Sequence, residues 1–367
     1  MINMYDVIVI GAGPSGSSAA MRLAENGYST LLLEKEKLPR YKPCGGAISP
    51  EVISDLNLPD NLIERKFDQL NLYLGNIIIN RKSKGAIVWR DKFDYYITFK
   101  AAENGAIIKD SSMCTSIKKV NGNFQIKCKK DIFISKFVIV ADGCNSNLLL
   151  NLGWNKPKPD DLALTVQYEM EMSAKKISQI LGDNIIHLFF GKNICERGYG
   201  WIFPKKNMIS VGWGSQLSLI HNTQVEFNNF LRLVKKFLNG AVLKRKVAHL
   251  VPTHIRDKFF DSNLFVVGDS AGFVDPLSGK GIAYAILSGI IAASTIIKHF
   301  DEPDSSILKN YYIKNLNKSF LNVLRLKKSI QKDVYASDSS ILKFLKLWKN
   351  HRSSEIAISL WNKSRVV

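Results

Sequence analysis

Residues Tyr5–Lys35 read YDVIVIGAGPSGSSAAMRLAENGYSTLLLEK, and the order of residue types along them decides the fold. Val7–Ile10 is a short β-branched apolar run, the pattern of a strand buried on both faces of a parallel sheet. It runs straight into Gly11-Ala12-Gly13-Pro14-Ser15-Gly16, a G-x-G-x-x-G turn. Ala19, Ala20, Leu23 and Ala24 then recur at helical spacing until Asn26-Gly27 ends the helix, and a second strand, Thr30–Leu33, delivers Glu34. Strand, glycine turn, helix, strand and acid in this register read as a dinucleotide site rather than an ordinary strand–turn–helix. Gly11 permits the tight turn, Gly13 lets the backbone approach a pyrophosphate, and Gly16 lets the helix pack close to the strand. The free N–H groups and positive end of the helix face the phosphates. Glu34 accepts hydrogen bonds from a ribose hydroxyl, and its charge repels a 2′-phosphate.

Composition bounds the rest. A chain of 367 residues is long for one core, so two joined domains are expected, and 46% apolar residues suffice to build them. No signal peptide is visible at the start, because the apolar run there is short and carries the glycine turn. Five cysteines without a C-x-x-C pair fit free thiols, a reducing compartment and no zinc site, and six histidines without H-x-H or H-E-x-x-H spacing argue against any metal. A cytoplasmic location follows. The net charge of +19 admits nucleic acid, an anionic membrane surface or solvated lysines of a Lys-, Asn- and Ile-rich chain. Between Lys309 and Arg352, lysines and arginines far outnumber Asp333 and Asp338 and are interleaved with Leu321, Leu324, Ile330, Ile341, Leu342, Leu345 and Trp348. That basic amphipathic pattern suits peripheral contact with an anionic bilayer, and nothing favours nucleic acid.

Along the chain, Glu36–Ser49 (EKLPRYKPCGGAIS) is a loop just past the ribose-binding strand. Its Cys44, ahead of Gly45-Gly46, can pack or line a pocket beside a ring system, and spacing alone favours packing. Phe67–Trp89 reads as short strands, Asp91–Asn104 as a helix, and Met113–Lys130 as a hairpin around Asn121-Gly122. Phe137–Ala141 is a buried strand ending in Asp142-Gly143, a position at the carboxyl edge of a sheet where ligands bind. Strands at Ala163–Glu171, Ile185–Gly191, Tyr199–Phe203 and Met208–Trp213, with a helix over Gln224–Leu238, form a separate antiparallel domain. Tyr199, Trp201 and Phe203 share one face at period two, as core or as the wall of a tunnel for a long apolar ligand. Finally a buried strand leads to Gly268-Asp269, a Pro- and Gly-rich loop, and an apolar helix over Gly279–Lys298. The helix is short for a membrane span, so it reads as a buried helix aimed at a cofactor. Asp269 can accept from sugar-alcohol hydroxyls, and the helix start favours negative charge on a reduced ring.

GAGPSG with Glu34, ADGCNS and GDSAGFVDPLSGKGI, in that order, resemble the three FAD motifs of hydroxylase-type flavoproteins. Within that superfamily PRYKPCGGAIS and GYGWIFPKKNMISVGWG resemble signatures of the geranylgeranyl reductase family. The resemblance spans Tyr5–Lys298 and implies an α/β fold. A Rossmann-like FAD-binding domain (residues 1–70, 90–160 and 252–300) is interleaved with an α+β substrate domain built on an antiparallel sheet (71–89 and 161–251), followed by a basic helical tail (301–367). It implies FAD bound by Gly11, Gly13, Pro14, Ser15, Gly16, Glu34, Lys35, Arg40, Cys44, Gly45, Asp142, Gly143, Gly268, Asp269, Gly279, Gly281 and Ile282. It also implies an isoprenoid cavity lined by Cys44, Tyr199, Trp201 and Phe203, with Cys44 a candidate for proton delivery. The implied reaction reduces carbon–carbon double bonds of a geranylgeranyl chain on a lipid, pigment precursor or quinone, by hydride from reduced FAD. The runner-up on the same scaffold is an NAD(P)H- and O2-dependent monooxygenase of an apolar substrate. No second nucleotide fingerprint is present, so NADPH and ferredoxin both stand as electron donors. The resemblance ends before the tail, and the oligomeric state is not legible.

Overall fold

The computed structural model describes residues 4–129, 131–301 and 303–350. The chain divides into two compact units. The first takes the chain up to Lys42 together with Arg90–Lys158 and Pro252–Leu324; the second takes Pro43–Trp89, Pro159–Val251 and the chain from Arg325. Two boundaries therefore differ from the sequence expectation. Residues 43–70 go with the second unit because Ile63–Leu74 is a strand of its sheet, and the tail is shared between both units instead of forming a third region.

In the first unit the strands Leu264–Val266, Asp131–Val140, Met4–Ile10, Thr30–Leu33 and Ile107–Lys109 lie side by side in that order, all parallel. Val7–Ile10 pairs on both sides, with Thr30–Leu33 and with Phe137–Val140, and its β-branched residues are all buried. The helix Pro14–Glu25 packs its alanine face on this sheet and meets the apolar helix Ile282–Lys298. There the two backbones come so close that a Cβ on Gly289 would lie 2.1 Å from the Ser15 carbonyl oxygen. No helix among the described residues is long and apolar enough to cross a membrane.

The hairpin Cys114–Val120/Asn123–Cys128 turns at Asn121 (φ 49°) and Gly122 (φ 80°), the left-handed pair a two-residue turn requires. Its ends place Cys114 opposite Cys128, and the two form a disulfide. This corrects the expectation of free thiols throughout. Register, invisible in the spacing of the two cysteines, brings them together. Cys44, Cys144 and Cys195 remain free.

The second unit is built on an eight-stranded sheet in the order Val242–Pro252, Leu162–Glu171, Met208–Gln216, Tyr199–Pro204, Ile185–Phe190, Ile63–Leu74, Ile77–Val88, Ala47–Ile48. It is antiparallel except where Ile185–Phe190 runs parallel to Ile63–Leu74. Two helices cover one face instead of the single one expected, Ala174–Leu181 and Thr223–Leu233, the latter passing into a 3-10 turn at Lys235–Leu238. Ile177, Phe227, Phe230 and Phe237 close on Ile202, Ile209, Val211 and Trp213 as the core.

His187 lies on that covered face. Its Nε2 is 2.9 Å from the Leu181 carbonyl, which can only accept, so Nε2 carries the proton and Nδ1 accepts from the Tyr73 hydroxyl at 3.0 Å. Burial pushes its pKa down to about 4. Below about pH 6.5 the unfolded chain takes up a proton that the folded protein refuses until about pH 4, so stability falls as pH drops through this window. The full loss is about 3 kcal/mol. The urea midpoint should fall along this limb, and His187→Phe should flatten it; an equally steep limb in the variant would refute the assignment.

The tail does not present the apolar face expected of it. Leu321, Leu324, Ile330, Ile341, Leu345 and Trp348 are buried in the protein, and Leu342 is half-buried. Arg81 Nε donates to the Trp348 carbonyl at 3.0 Å, and its guanidinium stacks over the Trp348 ring at 4.7 Å. The apolar residues of these helices are thus spent on the fold and not offered to a bilayer. Residues 351–367, Arg352 among them, lie outside the described residues.

Candidate functional site

The first unit gathers its glycine turn, acid and loop residues around the start of the helix Pro14–Glu25. Gly11 adopts φ +107°, and a Cβ there would lie 2.3 Å from the Ala141 carbonyl oxygen. A Cβ on Gly16 would lie 1.9 Å from the Gly11 oxygen, so both positions require glycine. Gly13 is the N-cap, with Pro14 at the first helical position and no side chain capping the helix. The space beside Gly13 is open except for an Arg40 Nη2 at 3.8 Å from its would-be Cβ. Such a start leaves backbone donors for an anion.

Glu34 is buried at the end of its strand. Its Oε2 accepts from Ala12 N–H at 2.9 Å and from Arg40 Nε at 3.3 Å, and its Oε1 from Glu36 N–H at 3.1 Å. Arg40 also donates to the Ala12 carbonyl at 3.2 Å and to Asp94 Oδ2 at 3.1 Å. Asp94, 1% exposed, holds Arg90 through two hydrogen bonds of 2.7 and 2.9 Å. Arg90 and Asp94 did not stand out in the sequence. Their one signal was i,i+4 spacing at the start of a helix, a spacing common to surface ion pairs. Lys35 is exposed.

The two later motifs reach the same region by different routes. The Asp142 carboxylate accepts from Ser146 at 2.6 Å and Ser270 at 3.0 Å, so it braces its own loop, and burial pushes its pKa up. Gly143, at φ +93°, donates its N–H to Ser270 at 2.7 Å. Gly268 sits against the helix start: a Cβ there would be 2.6 Å from Ser15 Oγ. Among the described residues no hydrogen bond engages the Asp269 carboxylate; Gly281 lies beside it, and Lys42 feels its charge. Burial is nevertheless the larger influence on Lys42 and pushes its pKa down. The helix expected from Gly279 begins at Ile282, because Asp275 ties Leu277, Ser278 and Gly279 into a loop; Gly281 caps it without a side-chain bond. Two uncapped helix starts, an open glycine at the first, a buried ribose-type acid and an open carboxylate together fit a flavin dinucleotide.

Cys44, Gly45 and the aromatic row lie in the second unit. Tyr199, Trp201 and Phe203 stand on the sheet face opposite the two helices, since Gly200, between the first two, would press a Cβ into Phe230 at 2.2 Å. Trp201 lies flat over the neighbouring strand because Gly212 leaves room for it: a Cβ there would be 2.1 Å from its ring. Gly45 packs on Phe203, where a Cβ would be 2.3 Å from the ring. Cys44 is half-buried, its Sγ accepting from Gly46 N–H at 3.4 Å.

Behind this row runs a buried polar chain that the sequence did not announce. Trp201 Nε1 donates to Gln167 at 3.1 Å, while Gln167 Nε2 donates to Glu169 at 2.7 Å and toward the Cys44 carbonyl at 3.4 Å. Ser210 donates to Glu169 at 2.6 Å, and Lys205, fully buried, bonds Ser210 and pairs with Glu169 at 3.7 Å.

The family model for pyridine nucleotide-disulphide oxidoreductases matches residues 8–149. An uncharacterised protein of Methanosarcina barkeri is 31% identical over 81% of this chain and 76% of its own length. The digeranylgeranylglycerophospholipid reductase of Methanococcus vannielii is 28% identical over 89% of this chain and 87% of its own. The crystal structure of a geranylgeranyl bacteriochlorophyll reductase-like protein from Thermoplasma acidophilum superposes with a TM-score of 0.87 at 25% identity, covering 98% and 95% of the two chains. Fold and site thus define an FAD-dependent oxidoreductase. The chain belongs to the geranylgeranyl reductase family.

Proposed function

We propose that the protein saturates carbon–carbon double bonds of a geranylgeranyl or longer polyprenyl chain carried on a lipid, pigment precursor or quinone. The observation that carries this reading is the row Tyr199, Trp201 and Phe203, laid on a sheet face floored by Gly212 and roofed at Phe203 by Gly45. Aromatic walls with glycine floors suit a flexible apolar chain and exclude water. Bound FAD, once reduced, supplies the hydride. The chain's own residues hold the rest: the glycine turn and Glu34 bind the dinucleotide, Arg40 and Asp94 keep Glu34 in place, and Asp269 accepts from hydroxyls. The aromatic row orients the polyene, and Cys44 serves in this reading to give or relay the proton to the neighbouring carbon. An isolated alkene is a poor hydride acceptor, so orientation and dryness supply much of the rate.

The test is anaerobic incubation of the flavin-loaded protein with geranylgeranyl lipids and pigments, using dithionite, NADPH or reduced ferredoxin in separate arms. Products heavier by two hydrogens per bond support the proposal and identify the donor. A product carrying oxygen, formed only in air, makes the protein a monooxygenase instead.

Gly45→Ala tests the chain-binding surface. Its Cβ must displace the Phe203 ring, and kcat/KM for a long prenyl chain should fall roughly tenfold. Loss of flavin in the same variant would instead place Gly45 in the cofactor site.

A further inference from the structure

The second unit carries a surface whose chemistry the reductase reading does not use. Its edge strand begins Val242-Leu243-Lys244-Arg245-Lys246, every residue exposed. The segment just before it exposes Arg232, Lys235 and Lys236. Beside it, the helix Ala174–Leu181 exposes Lys175 and Lys176 at its start. These pieces are contiguous: a Cβ on Gly240 would lie 2.2 Å from Lys176 Nζ, and Lys244 pairs at 2.6 Å with Glu171, just ahead of that helix. Residues 232–246 contain no acidic side chain, and Glu171 is a carboxylate that reaches these cations from the neighbouring strand.

Among the cations stand three aliphatic side chains in water, Leu233 at 52%, Val242 at 56% and Leu243 at 38% exposure. Lysines along an edge strand also guard against strand pairing. That role accounts for Lys244 and Lys246 but not for the five cations on the neighbouring helical segments, nor for aliphatics left exposed between them. We propose that this surface docks on an anionic lipid bilayer, the cations meeting headgroup phosphates and Leu233, Val242 and Leu243 entering the interface. An acidic protein partner would use the cations and leave the aliphatics without purpose, so the bilayer is favoured. The inference does not depend on the reductase reading, because its test reads binding and not turnover.

The experiment is co-sedimentation of the full chain with phosphatidylcholine vesicles, with and without phosphatidylglycerol. Binding is expected only to the mixed vesicles and should weaken with salt. Each near-surface cation contributes roughly fivefold to partitioning, so Lys235→Gln/Lys236→Gln/Arg245→Gln should bind roughly 100-fold more weakly. Leu233→Ser/Val242→Ser/Leu243→Ser should also bind more weakly while keeping its salt dependence. All six positions are exposed, and circular dichroism confirms that both variants fold. No binding to mixed vesicles overturns the proposal, as does unchanged binding by the charge variant. So does release by Lys343→Gln/Lys346→Gln/Lys349→Gln in its place, which would return docking to the tail. Retention on an immobilised acidic protein without vesicle binding assigns the surface to a protein partner.

Discussion

Asp94→Leu is expected to yield a protein that purifies without FAD and unfolds about 3–5 kcal/mol more easily. One buried carboxylate here serves two guanidiniums, gripping the buried Arg90 at 2.7 and 2.9 Å and the part-buried Arg40 at 3.1 Å. Leucine fills the volume but withdraws a shared counter-charge, and breaking a buried pair costs far more than the pair contributes when intact. In the proposed flavin site the damage would reach the cofactor through Arg40, which also bonds Glu34 and the Ala12 carbonyl beside Gly13. Asp94→Asn keeps one acceptor and should lose less on both measures. Visible flavin absorbance and urea unfolding decide the matter: wild-type flavin content together with an unshifted midpoint in Asp94→Leu would remove Asp94 from the site.

Lys205→Met should be nearly as destructive, with the effect appearing in the second unit. Lys205 is fully buried, its ammonium 3.7 Å from Glu169 and 4.0 Å from the centre of the Trp89 ring. Burial pushes its pKa down, while Glu169 opposes that shift. Methionine takes the cation away from the enclosed Glu169, to which Ser210 and Gln167 still donate, at a cost again of about 3–5 kcal/mol. Gln167 is shared with Trp201 and with the Cys44 carbonyl, so tryptophan fluorescence should change and turnover of a prenyl substrate should drop with the stability. Lys205→Met/Glu169→Gln should recover much of the midpoint, because no charge is then stranded. A single variant as stable as the double would show that Lys205→Met strands no charge on Glu169.

Most of the first unit was legible because its signals are local. The run Val7–Ile10, the glycine turn and the strand delivering Glu34 are each read from a few adjacent residues, and the parallel sheet follows from their order. The turn at Asn121-Gly122 was equally plain. The pairing of Cys114 with Cys128 was not, since it depends on hairpin register. Nor was the course of the tail: its basic amphipathic helices carry the pattern of a bilayer-binding segment, and the same pattern serves a helix that buries its stripe in its own protein.

A glycine permits a turn that a Cβ would block, and so the primary structure alone determined that Gly11 and Gly16 turn a strand tightly into a helix, with Gly13 open between them and Glu34 beyond. It also put Tyr199, Trp201 and Phe203 on one side of a strand, because side chains alternate. What it left undecided were the partners of charges: that Asp94 answers Arg40 across 54 positions, that Lys205 and Glu169 neutralise each other inside the sheet domain, and that cations from three segments share one face. A charge's worth depends on distance and on exclusion from water, and both arise only when remote segments are packed together.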